Sequence, residues 1–314
     1  MDNFIFSLEA TMPVFLVMVV GYFLRRIGML NESFCAVANK YVFKVALPLL
    51  LFKDIAETDL RTDFNLTFVL YCMIVTTVMF LGIWALTAWL MPDKSLVGAF
   101  SQAAARSSAA VLGIAFVENI YGNAGLTPMM IVAAVPLFNI YSVIILTFSA
   151  QHRERGGGAI RAACINVLKN PIILGILAGL PFSLLGISIP TIPLKTITSI
   201  SNTATPIALL VVGAGFEGRK ALSKIKPTVI ASLIKLVMLP AVFLPIAIAC
   251  GLAGAEMIAI LIMVGSPTTV SCYIMAKNMD NDGELTSSII VLTTLLSSVT
   301  LTFWIFLLRS VGFL

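Results

Sequence analysis

Ten runs of roughly twenty or more predominantly apolar residues dictate what this chain can become: about 4–27, 33–53, 64–91, 95–119, 126–150, 160–182, 192–215, 227–250, 255–277 and 285–311. A helix needs about 20 such residues to cross a hydrocarbon core of about 30 Å, and within lipid every backbone N–H and C=O must find its partner inside the protein. The expectation is an all-α integral membrane protein of ten transmembrane helices. With 59% hydrophobic and 11% charged residues, and only short turn-rich linkers, nothing remains to build a separate soluble domain. Before the first run there is no basic n-region and no small-residue cleavage site, so that run is read as a retained span.

Sliding the chain along itself by 158 residues, without a gap, superposes positions that carry backbone meaning. Pro13 meets Pro171, Gly21 meets Gly179, Gly28 meets Gly186, Ala46 meets Ala204, Pro48 meets Pro206 and Gly125 meets Gly283. Such self-similarity argues for duplication. Two repeats, 1–151 and 159–314, would be joined by the basic, glycine-rich linker 152–158. Five spans per repeat is an odd number, so the copies lie in opposite orientations, the inverted-repeat plan of secondary transporters. Basic residues set the direction. Eleven gather at one set of alternate span ends, Arg25, Arg26, Arg153, Arg155, Lys224 and Lys226 among them, against Lys53, Arg61, Lys195 and Arg309 at the other. The first set is cytoplasmic by the positive-inside rule, which places the chain in the cell's inner membrane with both termini outside.

Ser266-Pro267-Thr268-Thr269 interrupts the ninth run. A proline there removes a backbone hydrogen bond, so the helix should kink or break among hydroxyls. Irregular backbone at membrane depth is tolerated where it is buried in protein or lines a wet cavity; the plainer reading is a kink in a packing helix. The offset sets Ser108 of the fourth run opposite Ser266. Around it, Ala105-Arg106-Ser107-Ser108-Ala109-Ala110 reads either as a tight packing face or as a second break crossing the first. In the sharper reading the two segments enter from opposite sides and meet one shared ligand near the midplane, held by half-helix N-termini and hydroxyls.

Five cations remain inside the runs: Lys40, Lys44, Arg106, Lys169 and Lys235, with carboxylates almost confined to loops and span ends. An intramembrane cation is costly and marks function by default, and a surplus of them predicts an anionic substrate. Lys40 and Lys169 also fit snorkelling to an interface, Lys44 fits either role, and Arg106 and Lys235 sit near span centres. Candidate substrate-binding residues are therefore Arg106, Ser107, Ser108, Ser266, Pro267, Thr268, Lys235, Lys44 and Asn139. Asn139 and Asn202 are expected as buried amides that also fit interhelical glue. One histidine, five scattered cysteines without C-x-x-C spacing, and Glu9 and Glu118 as the carboxylates that fall outside loops and helix ends offer no catalytic or metal constellation. No enzyme activity, cofactor or nucleic-acid partner is expected.

The run Asn39-Lys40-Tyr41-Val42-Phe43-Lys44-Val45-Ala46-Leu47-Pro48-Leu49-Leu50-Leu51-Phe52 resembles the second-helix signature of the auxin efflux carrier family, whose bacterial members include permeases for malonate, malate and similar acids. Asn170-Pro171, Ala276-Lys277 and the spacing from Pro267 to Lys277 are similar too, and the likeness covers the whole chain. The resemblance implies a scaffold of spans one, two, six and seven, often homodimeric, and a moving transport domain of the other six, with spans four and nine crossing and elevator-like exchange of access. It implies a secondary transporter for small organic anions, with a channel-like or receptor protein on the same fold as the alternative. Family members often follow the span-four glycine with Ile-Pro, where this chain has Gly113-Ile114-Ala115, and members with aromatic substrates carry Asn where Ser108 stands.

Overall fold

Prolines and glycines divide the apolar runs into the helices that form. The computed structural model describes residues 2–57, 65–109, 126–150, 165, 167–216 and 224–314, and their regular structure is helical apart from one isolated bridge. In order these are α1 (Asp2–Arg26), α2 (Glu32–Tyr41), α3 (Leu47–Ala56), α4 (Leu66–Leu90), α5 (Val97–Ala105) and α6 (Thr127–Ser149). There follow α7 (Pro171–Leu185), α8 (Thr191–Ser201), α9 (Ala204–Ala214), α10 (Ile225–Leu233), α11 (Leu239–Ala249), α12 (Ala255–Gly265), α13 (Ser271–Asn278) and α14 (Gly283–Ser310). Among the described residues six helical segments are long and apolar enough to cross a membrane: Glu32–Ala56, Leu66–Leu90, Met129–Ser149, Thr191–Ala214, Ile225–Ala249 and Gly283–Ser310. The linker 152–158, the Gly113-Ile114-Ala115 motif and Glu118 lie outside the described residues, as do the side chain of Glu9 and the basic residues Arg61, Arg153 and Arg155.

Local chemistry explains the boundaries. Asn170 Oδ1 accepts from Ile172 N–H at 2.9 Å, and Pro171 follows at the first helical position, where its missing N–H is no loss. The sixth run is thereby interrupted at Lys169-Asn170, so its main helix starts later than expected and ends at Gly186, whose φ of 65° closes it in the left-handed region. The seventh run is split by a turn at Asn202-Thr203. Asn202 is exposed there, not buried as expected.

Two helices carry π turns, Val42–Ala46 between α2 and α3 and Ile234–Met238 between α10 and α11. Each runs into Leu-Pro, Leu47-Pro48 and Leu239-Pro240. A proline cannot donate to the carbonyl one turn back and crowds it. Widening the preceding turn relieves that crowding, with Leu47 N–H reaching Val42 O and Leu239 N–H reaching Ile234 O. The carbonyl of Leu236, left without a donor by Pro240, accepts instead from Trp304 Nε1 at 2.9 Å.

The buried side chains form two apolar cores. One is built from α4, α5, α6, α11, α12 and α14, with Phe68, Phe80, Phe138 and Leu261 at its heart. The other joins α1, α2, α3, α7 and α9 and takes in Cys272–Ala276 of α13. In the second, α1 packs along α9 and α3 along α7. Both crossings depend on glycine. A Cβ at Gly21 would overlap the Leu210 carbonyl and one at Gly213 the Met18 carbonyl; one at Gly175 would overlap the Pro48 carbonyl, and one at Gly179 would lie 2.8 Å from Phe52 O. Small residues let backbones approach to this distance. Gly21→Ala and Gly213→Ala should therefore each destabilise by about 1–3 kcal/mol through overpacking. Gly82→Ala on α4, where a Cβ meets nothing within 4 Å, should be neutral or stabilising. Thermal denaturation of the three variants in detergent checks this.

Candidate functional site

The site is built where two helices stop in mid-run. α5 ends at Ala105, and Arg106 is extended at φ −80°, ψ 128°. α12 ends at Gly265, and Ser266 is extended at φ −71°, ψ 158°, the conformation a following proline imposes. The two extended segments cross as an antiparallel bridge between Ser107 and Thr268, with Ser108 N–H donating to Pro267 O at 2.9 Å. The fourth run is thus broken although its break contains no proline. What holds it open is tertiary, the partner segment and a buried lysine.

Lys235 is fully buried, delivered from the second π turn. Its Nζ donates to Val264 O at 2.8 Å, to Ala105 O at 3.2 Å and to Ser107 Oγ. Val264 and Ala105 are the last turns of α12 and α5, whose C-terminal carbonyls lack intrahelical donors and carry partial negative charge. One ammonium satisfies both ends. Thr268 Oγ1 adds a bond to Ala103 O at 2.7 Å, and Ser107 Oγ donates to Met263 O.

The start of α13 faces the other way. A cavity of about 60 Å³ is lined by Arg106, Ser107, Ser108 and Ala109 on one broken segment and by Thr269, Val270 and Ser271 on the other, where the helix resumes. Phe138 and Asn139 of α6 close it, and Leu47, Leu51 and Asp54 of α3 with Thr205 of α9 form the opposite wall. It therefore lies between the two apolar cores. Arg106 is buried, and its Nη2 donates to Asn139 Oδ1 at 2.7 Å and its Nη1 to Met275 Sδ at 2.8 Å. Asn139 Nδ2 donates to Val135 O at 2.8 Å, which turns the amide oxygen toward the guanidinium. Among the described residues no carboxylate is a hydrogen-bond partner of Arg106. A guanidinium beside a helix N-terminus is a surface that binds anions.

Of the residues singled out in the sequence, Arg106, Ser107, Ser108 and Asn139 come together on the cavity wall. Ser266, Pro267 and Thr268 form the other strand of the crossing, outside the lining. Ser266 Oγ is buried with no partner, and Thr268 N–H donates to Thr293 Oγ1 at 3.1 Å. Lys235 and Lys44 also stand apart from the lining: Lys235 donates to backbone and to Ser107, on the carbonyl side, and Lys44 is exposed. Asp54, Thr205, Thr269 and Ser271 were not singled out. Thr269 was within reach of the Pro267 argument, whereas Asp54 beside Lys53 reads in one dimension as an ordinary span-end pair.

A second, wider cavity of about 960 Å³ opens between α1, α2 and α9 on one side and α13 and α14 on the other, with Arg25, Arg26, Asn39, Tyr273 and Lys277 on its walls. Arg25 pairs with Glu32 at 2.9 Å. Along the α2–α3 helix the two cavities lie on opposite sides of the π turn, where Tyr41 Oη and Thr203 Oγ1 are 2.9 Å apart.

Comparison with known proteins fits this architecture. Residues 6–157 and 159–305 match the family described as "Membrane transport protein". An "Uncharacterized transporter" of Methanothermobacter thermautotrophicus is 25% identical over 309 residues, covering 96% of this chain and 98% of that protein. "Uncharacterized transporter YfdV" of Escherichia coli K12 is 23% identical over 320 residues, covering 98% and 99%. A Rhizobium meliloti protein named "Putative malonate transporter" is 25% identical over 323 residues, covering 95% of each.

Proposed function

The chain belongs to the membrane transport protein family, the family of the auxin efflux carriers, and from that premise we propose that it is a secondary transporter for a small organic anion, a mono- or dicarboxylate, working by elevator-type alternating access. One observation carries the substrate class. The crossing sorts its charges, carbonyl ends toward Lys235 and the start of α13 with Arg106 toward the cavity, so the cavity presents a buried cation to which no carboxylate among the described residues is bonded. The name of the Rhizobium relative points to the same class of acid.

In this reading the chain is two inverted five-span repeats, with spans one, two, six and seven as scaffold. Support comes from the 158-residue offset. It carries Gly21 to Gly179 and Leu210 back to Phe52, and these pairs make the same glycine-on-carbonyl contact. Gly28 and Gly186, also related by the offset, both have positive φ, 81° and 65°. The apolar cores divide much as scaffold and transport domain would, and the cavity lies between them. The scaffold's exposed apolar faces, with Phe23, Val37, Leu177 and Leu184, suit a homodimer in the lipid bilayer. Both termini lie outside in this scheme.

A thermal-shift screen of small carboxylates on the purified protein tests the substrate class, because a ligand that binds only the folded state stabilises it. The screen should yield a stabilising acid that also supports saturable counterflow in proteoliposomes. Ser108→Ala should weaken that acid about 10-fold or more, the worth of one hydrogen bond to a charged group. Large anion currents without counterflow would favour a channel, and an unaltered Ser108→Ala affinity would remove that hydroxyl from the site.

A further inference from the structure

The cavity that holds Arg106 also holds a carboxyl group, Asp54, which comes from the opposite wall. Its side chain is 27% accessible, and Lys53 Nζ lies 3.9 Å from Oδ1 while also reaching Glu57 Oε2 at 3.8 Å. Lys53 is thus shared between two carboxylates. Among the described elements packed on α3, both α7 and α9 carry no titratable side chain, α8 carries only Lys195 and the adjoining π turn only Lys44, both exposed. Across the cavity stand Arg106 and the neutral Asn139.

An incoming carboxylate would share about 60 Å³ with Asp54. Two carboxyl groups in one site do not both stay ionised, because each raises the free energy of the other's charge. We propose that Asp54 is the coupling residue of this carrier: a substrate anion occupies the cavity when Asp54 is protonated, so that binding takes one proton from water and release returns it. The inference rests on the anion-site reading above. Its sign is defined. As pH rises through the titration of Asp54 in the empty site, each binding event must first add a proton to the carboxylate, so affinity falls with pH.

Isothermal titration of malonate into the purified protein, in buffers of differing ionisation enthalpy between about pH 6.5 and 8.5, measures the protons taken up. The wild-type protein should take up about one proton per malonate at the upper end, with affinity falling up to about 10-fold per pH unit. Asp54→Asn should bind with no proton uptake and a flat pH profile. Asp54→Glu, which keeps a titratable group, should retain the uptake with a displaced midpoint, and it carries the test should the Asn variant fail to fold. Binding without proton uptake, or uptake that persists in Asp54→Asn, overturns the proposal and leaves the anion site standing. Failure of all three proteins to bind malonate at any pH overturns the anion-site reading itself, and this inference with it.

Discussion

Replacing Arg106 by glutamine is expected to abolish transport while the protein still folds and inserts. The guanidinium is buried at the break between α5 and the bridge, and its hydrogen-bond partners among the described residues are neutral, Asn139 Oδ1 and Met275 Sδ. Glutamine keeps a donor for Asn139 and loses the charge. A hydrogen bond to a charged group is worth about 1.5–3 kcal/mol, and a guanidinium offers a carboxylate two in parallel. Together they amount to about 3–6 kcal/mol, or a loss of affinity of about 100-fold or more. Removing a buried cation also removes its desolvation penalty, so thermal stability should be unchanged or higher. Uptake into proteoliposomes together with the melting temperature of the variant decides the matter. Transport near the wild-type rate would make Arg106 structural.

Lys235→Met should fail in the opposite way. Methionine fills a similar volume, yet it leaves the carbonyls of Ala105 and Val264 without the ammonium that now satisfies them, and it releases Ser107. Each buried polar group left unpaired costs about 1–3 kcal/mol, which sums to about 2–6 kcal/mol for the two carbonyls. A loss of that size is a large fraction of the stability of most domains. The variant should accumulate poorly or melt well below the wild type in detergent. Lys235→Arg, which keeps charge and donors in a bulkier shape, should recover part of the loss. A Lys235→Met protein that is stable but inactive would return Lys235 to the substrate.

These two cations looked alike in the sequence, both near the centres of apolar runs, and only their surroundings separate them. Arg106 begins a segment that has left its helix, so its side chain turns to the cavity. Lys235 sits in a π turn that delivers it to the far side of the same crossing. The second break was legible from Pro267, because proline acts locally. The first was legible only through the offset that sets Ser108 opposite Ser266, since Ala105-Arg106-Ser107-Ser108 has no breaker of its own and opens because the bridge and Lys235 satisfy its backbone. Gly21 and Gly179 were legible as a repeated pair, and their contacts explain why neither tolerates a Cβ. Asp54 was hidden because only the fold sets it across one cavity from Arg106, about fifty residues away in sequence. Asn202 was misread as buried because nothing nearby announces the turn between α8 and α9.

The π turns have a consequence for how this chain tolerates insertions and deletions. Each holds one residue more than the α-helical turn it replaces, and one residue turns an α-helix by about 100°. Deleting any one of Val42–Ala46 would let the ladder close as a plain α-helix. Because the wide turn takes up its extra residue locally, everything after such a deletion would keep its direction relative to Glu32–Tyr41, and Leu47, Leu51 and Asp54 would stay on the cavity wall. The same arithmetic applies to Ile234–Met238, where losing one residue changes the turn itself, Lys235 included, and leaves the rest of the helix in register. A one-residue gap at either turn is therefore the length change these two helices absorb, whereas a gap elsewhere along them would rotate all that follows by about 100°.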